Sequence, residues 1–303
     1  MNAVLRVGLD IGGTKTLGVV VDPTGEILAQ ARRPTGRGAA QVVDTALGVI
    51  EELRATTGEP LDGPLGVGIP GLVDTRRNAV KHAVNLGVDG DWFPIGPLLA
   101  GQLDVPVTVD NDVNAASLGA AALTGHQDLV YLSIGTGLAA GFVLDGTLRR
   151  GEHGAACEVG HVPVDPDGAW CQCGQRGCLE TVASGSALAA AWPATDLPPA
   201  QALFAAAAAG DPDAIRIRDR FTAGVADAIR LLALTVDPGS FVLGGGVAQL
   251  GEALRSAVAD ALDAQAATSP FLASLELARR VHVVPTHVPV AAFGAALLGG
   301  AWS

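Results

Sequence analysis

Positive charge is scarce in this sequence. Its 303 residues include 19 Lys and Arg against 31 Asp and Glu, a formal net charge of −12, and only Lys15 and Lys81 are lysines. Nucleic-acid binding needs clustered basic residues that neutralise phosphates, so the composition argues against a nucleic-acid partner. Long apolar runs are missing too. The longest, VPVAAFGAALLGGAW near the C-terminus, is too short and glycine-rich to cross a bilayer. The opening MNAVLRVGLD reaches an aspartate at position 10 without the apolar core of a signal peptide. We therefore expect a cytoplasmic protein with no membrane partner. Cysteine is sparse as well: four residues cannot staple a disulfide scaffold. What is present is 49% hydrophobic and 17% charged, enough for a sizeable core in two ordinary domains or one large one.

The first motif is VGLDIGGTKTLGVVVD, residues 7–22. From Gly8 it approaches a phosphate-binding P-loop, but Thr14 is inserted before Lys15. Context also fails, because a P-loop leads into a helix whose N-terminus helps hold the phosphates. Here a β-rich run follows, then a DPTG turn and a second β-rich run. The pattern predicts a β-hairpin with a glycine-rich bend. The same hairpin recurs 123 residues later as VYLSIGTGLAAGFVLD. Val7/Val130, Leu9/Leu132, Ile11/Ile134, Gly12/Gly135, Gly18/Gly141, Val20/Val143 and Asp22/Asp145 are identical pairs. Two halves of similar construction are expected, each opening on a hairpin.

Helical periodicity covers 39–58, and LGVGIPGLVD reads as a strand ending in a Pro-Gly turn. VPVTVDNDVNAASLGAAAL reads as a strand over 105–109, a short loop, and a helix from about Val113. Residues 184–235 are mostly helical. SFVLGGGVAQLGEALRSAVADAL reads as strand, glycine turn and helix, and a last helix covers about 290–299. Alternating strands and helices predict an α/β fold.

Four constellations carry chemistry. The first bend holds Asp10, Gly12, Gly13, Thr14 and Lys15, and Gly135, Thr136 and Gly137 form its repeat. Glycines let backbone N–H groups approach phosphate oxygens, and Asp10 offers a hard oxygen ligand for Mg²⁺. The bland reading is two turns that need glycine. The second is Asp110-Asn111-Asp112 between strand and helix. A carboxylate there can take a proton from an attacking hydroxyl, or Asp and Asn can simply cap the helix. The third is EVGHVPVDPDGAWCQCGQRGCLE, with His161, Cys171, Cys173 and Cys178 spaced H-x9-C-x-C-x4-C. Three thiolates and an imidazole make a closed, structural Cys₃His zinc set. Glu158 and Glu180 bracket it, and Cys157 is left over as a small buried residue. The fourth is Gly244-Gly245-Gly246, a place for a nucleotide against backbone or a tight strand-to-helix turn.

Taken together, DIGGT, DND, EVGH, CQCGQRGCLE and LGGGV resemble the ROK family of sugar kinases and repressors, over nearly the whole chain. The most specific part is the C-x-C-G-x-x-G-C-x-E signature. The resemblance implies the actin-like, hexokinase-type ATPase fold, two RNase H-like α/β domains around a cleft that closes to exclude water. It places domains at 1–118 and 119–288, with the final helix, about 289–303, returning to the first and the zinc module at 161–178 in the second. It implies that Asp112 is the catalytic base. Asn111, Asp112, Glu158, His161 and Glu180 would be sugar-binding residues, with Gly71 and Asn85 on sugar-side loops. DIGGT with Lys15 and GTG would bind ATP phosphates, and Gly244, Gly245 and Gly246 the adenosine side. ATP, Mg²⁺ and structural zinc are the implied cofactors, and a homo-oligomer, dimer or tetramer, the implied assembly. Ala139 and Ala140 stand where glycines are frequent, and Ala120 where Glu is. DIGGT starts at residue 10, so a preceding repressor-type DNA-binding domain is not expected.

The expected activity is transfer of the ATP γ-phosphoryl to O6 of glucose or N-acetylglucosamine. N-acetylmannosamine or fructose as substrate, or a non-catalytic sugar sensor on the same fold, are the alternatives. A zinc-dependent hydrolase is disfavoured, because four protein ligands leave no open coordination position.

Overall fold

In a computed structural model of the chain, residues 4–194 and 196–299 are described. The first hairpin is β1 (Arg6–Ile11) and β2 (Lys15–Val21), followed by β3 (Ile27–Pro34). Asp22 closes the DPTG turn, its Oδ1 accepting from the Thr24 and Glu26 N–H groups at 2.8 and 2.9 Å. Helix α1 (Ala39–Thr57) buries Val42, Ala46, Val49, Ile50 and Leu53, a stripe at helical spacing. It ends on Gly58 at φ 66°, the left-handed conformation that favours glycine at a helix C-terminus. Strand β4 (Leu65–Ile69) is buried on both faces, as a central parallel strand must be. The small hairpin β5 (Leu72–Asp74) and β6 (Ala79–Lys81), helix α2 (Ile95–Leu103), strand β7 (Val107–Asn111) and helix α3 (Asp112–Thr124) follow.

The second hairpin is β8 (Leu129–Ile134) and β9 (Leu138–Leu144), followed by β10 (Thr147–Arg149). After an irregular, turn-rich stretch come α4 (Gly185–Ala191), α5 (Pro199–Ala208) and α6 (Pro212–Thr235). Asp211 caps α6 through the N–H groups of Asp213 and Ala214, and Pro212 sits in its first turn, where the missing N–H costs nothing. Then come β11 (Ser240–Gly244), α7 (Glu252–Ala266), α8 (Pro270–Ser274), β12 (Val281–Val283) and α9 (Val290–Leu297). Residues 300–303, where the sequence was expected to extend the last helix, lie outside the described residues. Among the described residues no helix is long and apolar enough to cross a membrane.

The two five-stranded sheets run in the same order, β3-β2-β1-β4-β7 and β10-β9-β8-β11-β12. In each, the first strand pairs antiparallel with its hairpin partner and parallel with the strand on its other side. The duplication expected from the repeated hairpin is thus present in the topology. Its register is corrected by one residue. Leu9 faces Gly18, but Leu132 faces Ala140, not Gly141. The first ladder closes on Ile11 and Thr16 and leaves four residues in the bend. The second closes on Ile134 and Leu138 and leaves three. The identities beyond the bend, Gly18/Gly141 to Asp22/Asp145, are therefore not equivalent positions.

By internal packing the chain forms two bodies. One runs through Gly125 and takes in Leu148–Ala155 and the chain from Val288. The other is His126–Thr147 with Ala156–His287. The core of the first body includes Leu9, Ile11, Val67, Ile69 and Val109, and that of the second Leu132, Ile134, Phe221 and Phe241. Helix α9 lies on β1, β4 and α3. It gets that close because a Cβ at Gly66 would overlap the Ala295 carbonyl, and one at Gly294 the Ala115 carbonyl. That contact is why the end of the chain rejoins the first body.

Candidate active site and metal centre

In the first body the candidates meet at the C-terminal ends of three parallel strands. Asp10 on β1 pairs with Gly68 on β4, and Gly68 with Asp110 on β7. Gly68 carries no side chain between these acids, and its Cβ direction points at the start of α3, 3.4 Å from the Asp112 Cα. Burial and the charge of Asp112 push the Asp10 carboxyl up to about 7, against the opposing pull of Lys15. Lys15, deprived of a P-loop role, therefore still acts on the site as a counter-charge. A buried carboxylate raised in part by a neighbouring acid forms, with that acid, a donor set that a hard cation relieves.

The loop expected between strand and helix is absent. β7 continues to Asn111, held in register against Ile69 of β4, and α3 starts at Asp112. Asn111 Oδ1 accepts from the N–H groups of Val113 and Asn114 at 2.9 and 3.4 Å, so the capping role of DND belongs to Asn111. Asp112 is left as the first helical residue. Asn111 Nδ2 donates to the Gly71 carbonyl at 3.2 Å, which brings the PG turn beside it. Gly71, at φ 113°, adopts a conformation open only to glycine. Asn85 flanks the first bend: its Cβ lies 3.0 Å from where a Cβ of Gly13 would stand. Within that bend Gly12 N–H donates to the Lys15 carbonyl at 2.9 Å.

Sequence reasoning named Asp110 only within the Asp110–Asp112 run, gave it no role of its own, and missed Arg150. Asp110 is 1% exposed and pairs with Arg150 through Nε and Nη2, both at 2.6 Å. It also accepts from Asn114 Nδ2 at 2.9 Å and Asn111 N–H at 2.8 Å. A buried carboxylate tied this closely fixes the junction of β7 and α3, and hence where Asp112 stands.

In the second body the metal candidates come together. One ligand atom each from His161, Cys171, Cys173 and Cys178 lie within 4.8 Å of one another. Cys173 and Cys178 sulfurs are 3.7 Å apart, as are Cys171 Sγ and His161 Nδ1. A tetrahedral zinc with Zn–S near 2.3 Å has S–S edges of about 3.8 Å, and the cysteines are free thiols. The set fits zinc. Burial pushes Cys178 up to about 12 and also raises Cys171, so ionising these thiols calls for a compensating cation. The Gln175 amide, donating to Cys173 Sγ at 3.4 Å, pulls that thiol down to about 6. Gln175 also donates to the His161 carbonyl at 3.1 Å. His161 turns Nδ1 to the cysteines and Nε2 toward Glu158, at 4.0 Å, so a metal and a substrate can use opposite sides of one ring. Cys157 is half-buried, not fully buried as expected, and sits outside the cluster. Burial and Glu158 push its thiol up to about 12.

Glu180 reaches from the cluster to the second bend. Its Oε1 lies 3.8 Å from Cys171 Sγ, and its Oε2 accepts from the Leu138 N–H at 3.0 Å. A Cβ at Gly137 would overlap that carboxylate. The glycine triplet divides. Gly244 is packed under the Tyr131 ring and Gly245, at φ 80°, against the Ile134 backbone, while Gly246 faces open space.

Two similar halves, each a five-stranded mixed sheet carrying a glycine bend, define the actin-like, hexokinase-type ATPase fold. A solved ROK family glucokinase from Streptomyces griseus, in complex with glucose and AMPPNP, matches at a TM-score of 0.81 and 31% identity, over 97% of this chain and 99% of that one. The ROK family model matches residues 6–296, and the chain belongs to the ROK family. Among curated relatives, a glucokinase of Streptomyces coelicolor is 34% identical over 82% of this chain and 84% of its own. An N-acetylmannosamine kinase of Yersinia pseudotuberculosis is 32% identical over 80% and 82%.

Proposed function

We propose that the chain is an ATP-dependent hexose kinase that phosphorylates glucose or N-acetylglucosamine at O6, with Asp112 as general base. The observation that carries this reading is the placement of Asp112. It opens α3 at the end of β7, within electrostatic reach of the buried Asp10, with its backbone fixed by the Asn111 cap and the Asp110–Arg150 pair. The glucokinase relative and the glucose–AMPPNP complex support glucose as the sugar.

Asp112 accepts the sugar hydroxyl proton as the oxygen bonds to the γ-phosphorus. The bond from the γ-phosphorus to the β–γ bridging oxygen breaks, and ADP leaves with that electron pair. Gly13, Thr14, Thr136 and Gly137 offer backbone N–H groups for phosphate oxygens. Among the described residues none of these four donates to a protein acceptor. Magnesium held at Asp10 would supply positive charge against the phosphates. Zinc held by His161, Cys171, Cys173 and Cys178 would cross-link the loop that presents Glu158, His161 and Glu180 to the sugar. The second reading, N-acetylmannosamine as substrate, is favoured by the Yersinia relative.

The test is Asp112→Asn with a panel of glucose, N-acetylglucosamine and N-acetylmannosamine, scored by sugar-dependent ADP release. We expect glucose or N-acetylglucosamine to give the highest kcat/KM. Turnover of the variant should fall roughly 10²–10⁴-fold, with sugar binding retained. Turnover near wild type would reject Asp112 as the base.

A further inference from the structure

We infer that the segment 180–186, directly after the last cysteine of the metal cluster, is a clamp that sets the direction of the phosphate-facing N–H groups of the second bend, with Ser186 as its positioning residue. This rests on the kinase reading above, in which those N–H groups hold phosphate.

The clamp is a set of donors aimed at the back of the bend. Gly185 N–H donates to the Gly135 carbonyl at 2.7 Å. Ser186 donates twice to the Thr136 carbonyl, from Oγ at 2.6 Å and from N–H at 3.3 Å. The Ser184 hydroxyl, fully buried, lies 3.0 Å from Ser186 Oγ and accepts from the Ala187 N–H at 3.1 Å. At the front edge Glu180 accepts from the Leu138 N–H.

Peptide planarity turns these contacts into a statement about the other side of the bend. In a trans peptide the carbonyl of one residue and the N–H of the next share a plane and point opposite ways. Holding the Gly135 carbonyl therefore aims the Thr136 N–H, and holding the Thr136 carbonyl aims the Gly137 N–H. Those are the two N–H groups of this bend without a protein acceptor. Donors oriented before the ligand arrives need no reorganisation when charge develops on it. Because 180–186 begins two residues after Cys178 and includes Glu180, one short piece of chain serves the metal cluster, the sugar-side carboxylate and the phosphate bend.

The test is Ser186→Ala in the zinc-replete full-length protein, with Ser186→Thr as the variant that restores the hydroxyl. Ser186 is exposed, so its truncation leaves no hole in the core. MgADP affinity is measured by calorimetry, and KM for ATP, KM for sugar and bound zinc are measured alongside. We expect Ser186→Ala to weaken MgADP binding and raise KM for ATP about fivefold, the worth of one hydrogen bond. KM for sugar and zinc content should stay at wild-type values, and Ser186→Thr should recover most of the loss. Wild-type MgADP affinity in Ser186→Ala, or equal losses for ATP and sugar, overturns the clamp while leaving the kinase reading intact. A wild-type protein that neither binds MgADP nor phosphorylates any hexose overturns the kinase reading, and the clamp with it.

Discussion

The two hairpin bends come from the same pattern and have become different devices. The first keeps an acid, Asp10, where the second has Ser133, and the Lys15 and Asp112 charges act on that acid. Among the described residues, no protein donor holds the carbonyl of Gly12 or Gly13. The second bend is one residue shorter and carries no acid, but its Gly135 and Thr136 carbonyls are held from behind. One bend thus supplies charge and the other supplies fixed dipoles. In the proposed kinase a single acid suffices for the cation, and the second bend's position can be given over to rigidity. Each half of the comparison can be broken separately.

The largest effect is expected in the first body. Asp112→Asn should lower turnover roughly 10²–10⁴-fold while ATP affinity, proposed to lie with the bends, changes little. Arg150→Ala comes next, because it strands the buried Asp110 carboxylate. Breaking one side of a buried pair costs about 3 kcal/mol at the lower end of the usual range, and Asn114 and the Asn111 N–H keep the loss toward that end. Urea unfolding should show it, and Arg150→Lys should recover only part, having one ammonium for a two-pronged contact.

Cys173→Ser should act within the second body, on the second bend and on the loop that carries Glu158, His161 and Glu180. Zinc measured by atomic absorption should drop from about one per chain to well below that. KM for both sugar and ATP should rise, since Glu180, proposed as a sugar-side carboxylate, also accepts from the Leu138 N–H at the second bend, while the pH response of Asp10 persists. Full zinc occupancy in the variant would contradict the ligand set.

A pH dependence is expected to be confined to the first bend. The Asp10 carboxyl titrates at about 7 in the folded protein against 3.8 for an ordinary aspartate. An acid with a raised folded value is harder to ionise folded than unfolded. It therefore withdraws stability as the pH climbs from about 4 through 7. Metal-free Asp10→Asn should accordingly melt above wild type at pH 8, with the gap closing toward pH 4. Magnesium should raise the wild-type Tm more at pH 8 than at pH 5, and should not move the variant. A gap that widens at acid pH would contradict the assignment.

What was legible in the sequence follows from how chemistry is spaced along a chain. The metal set falls within eighteen residues and the bends are continuous stretches, so residue type and spacing were enough. The strand order of the two halves came from the structure, while their shared construction followed from the repeated hairpin. The one-residue slip between the hairpins did not, because identical residues on both strands say nothing about how many the bend consumes. The strand over 107–111 was misjudged because its pairing with β4, not its own polarity, carries it through Asp110 and Asn111. Arg150 and Asp110 are 40 residues apart, Glu180 and Leu138 42, and Ser186 and Thr136 50. No local pattern marks such pairs. In the glycine triplet, a Cβ at Gly244 or Gly245 would meet Tyr131 or Ile134, and one at Gly246 would meet open space.

The most direct test of the kinase reading is ³¹P NMR of wild type and Asp112→Asn, each incubated with glucose and MgATP. We expect wild type to build a sugar 6-phosphate resonance in step with ADP. The variant should still bind glucose and form product at least roughly 10²-fold more slowly. ADP without a sugar phosphate from the wild type, or equal product from both proteins, would contradict it.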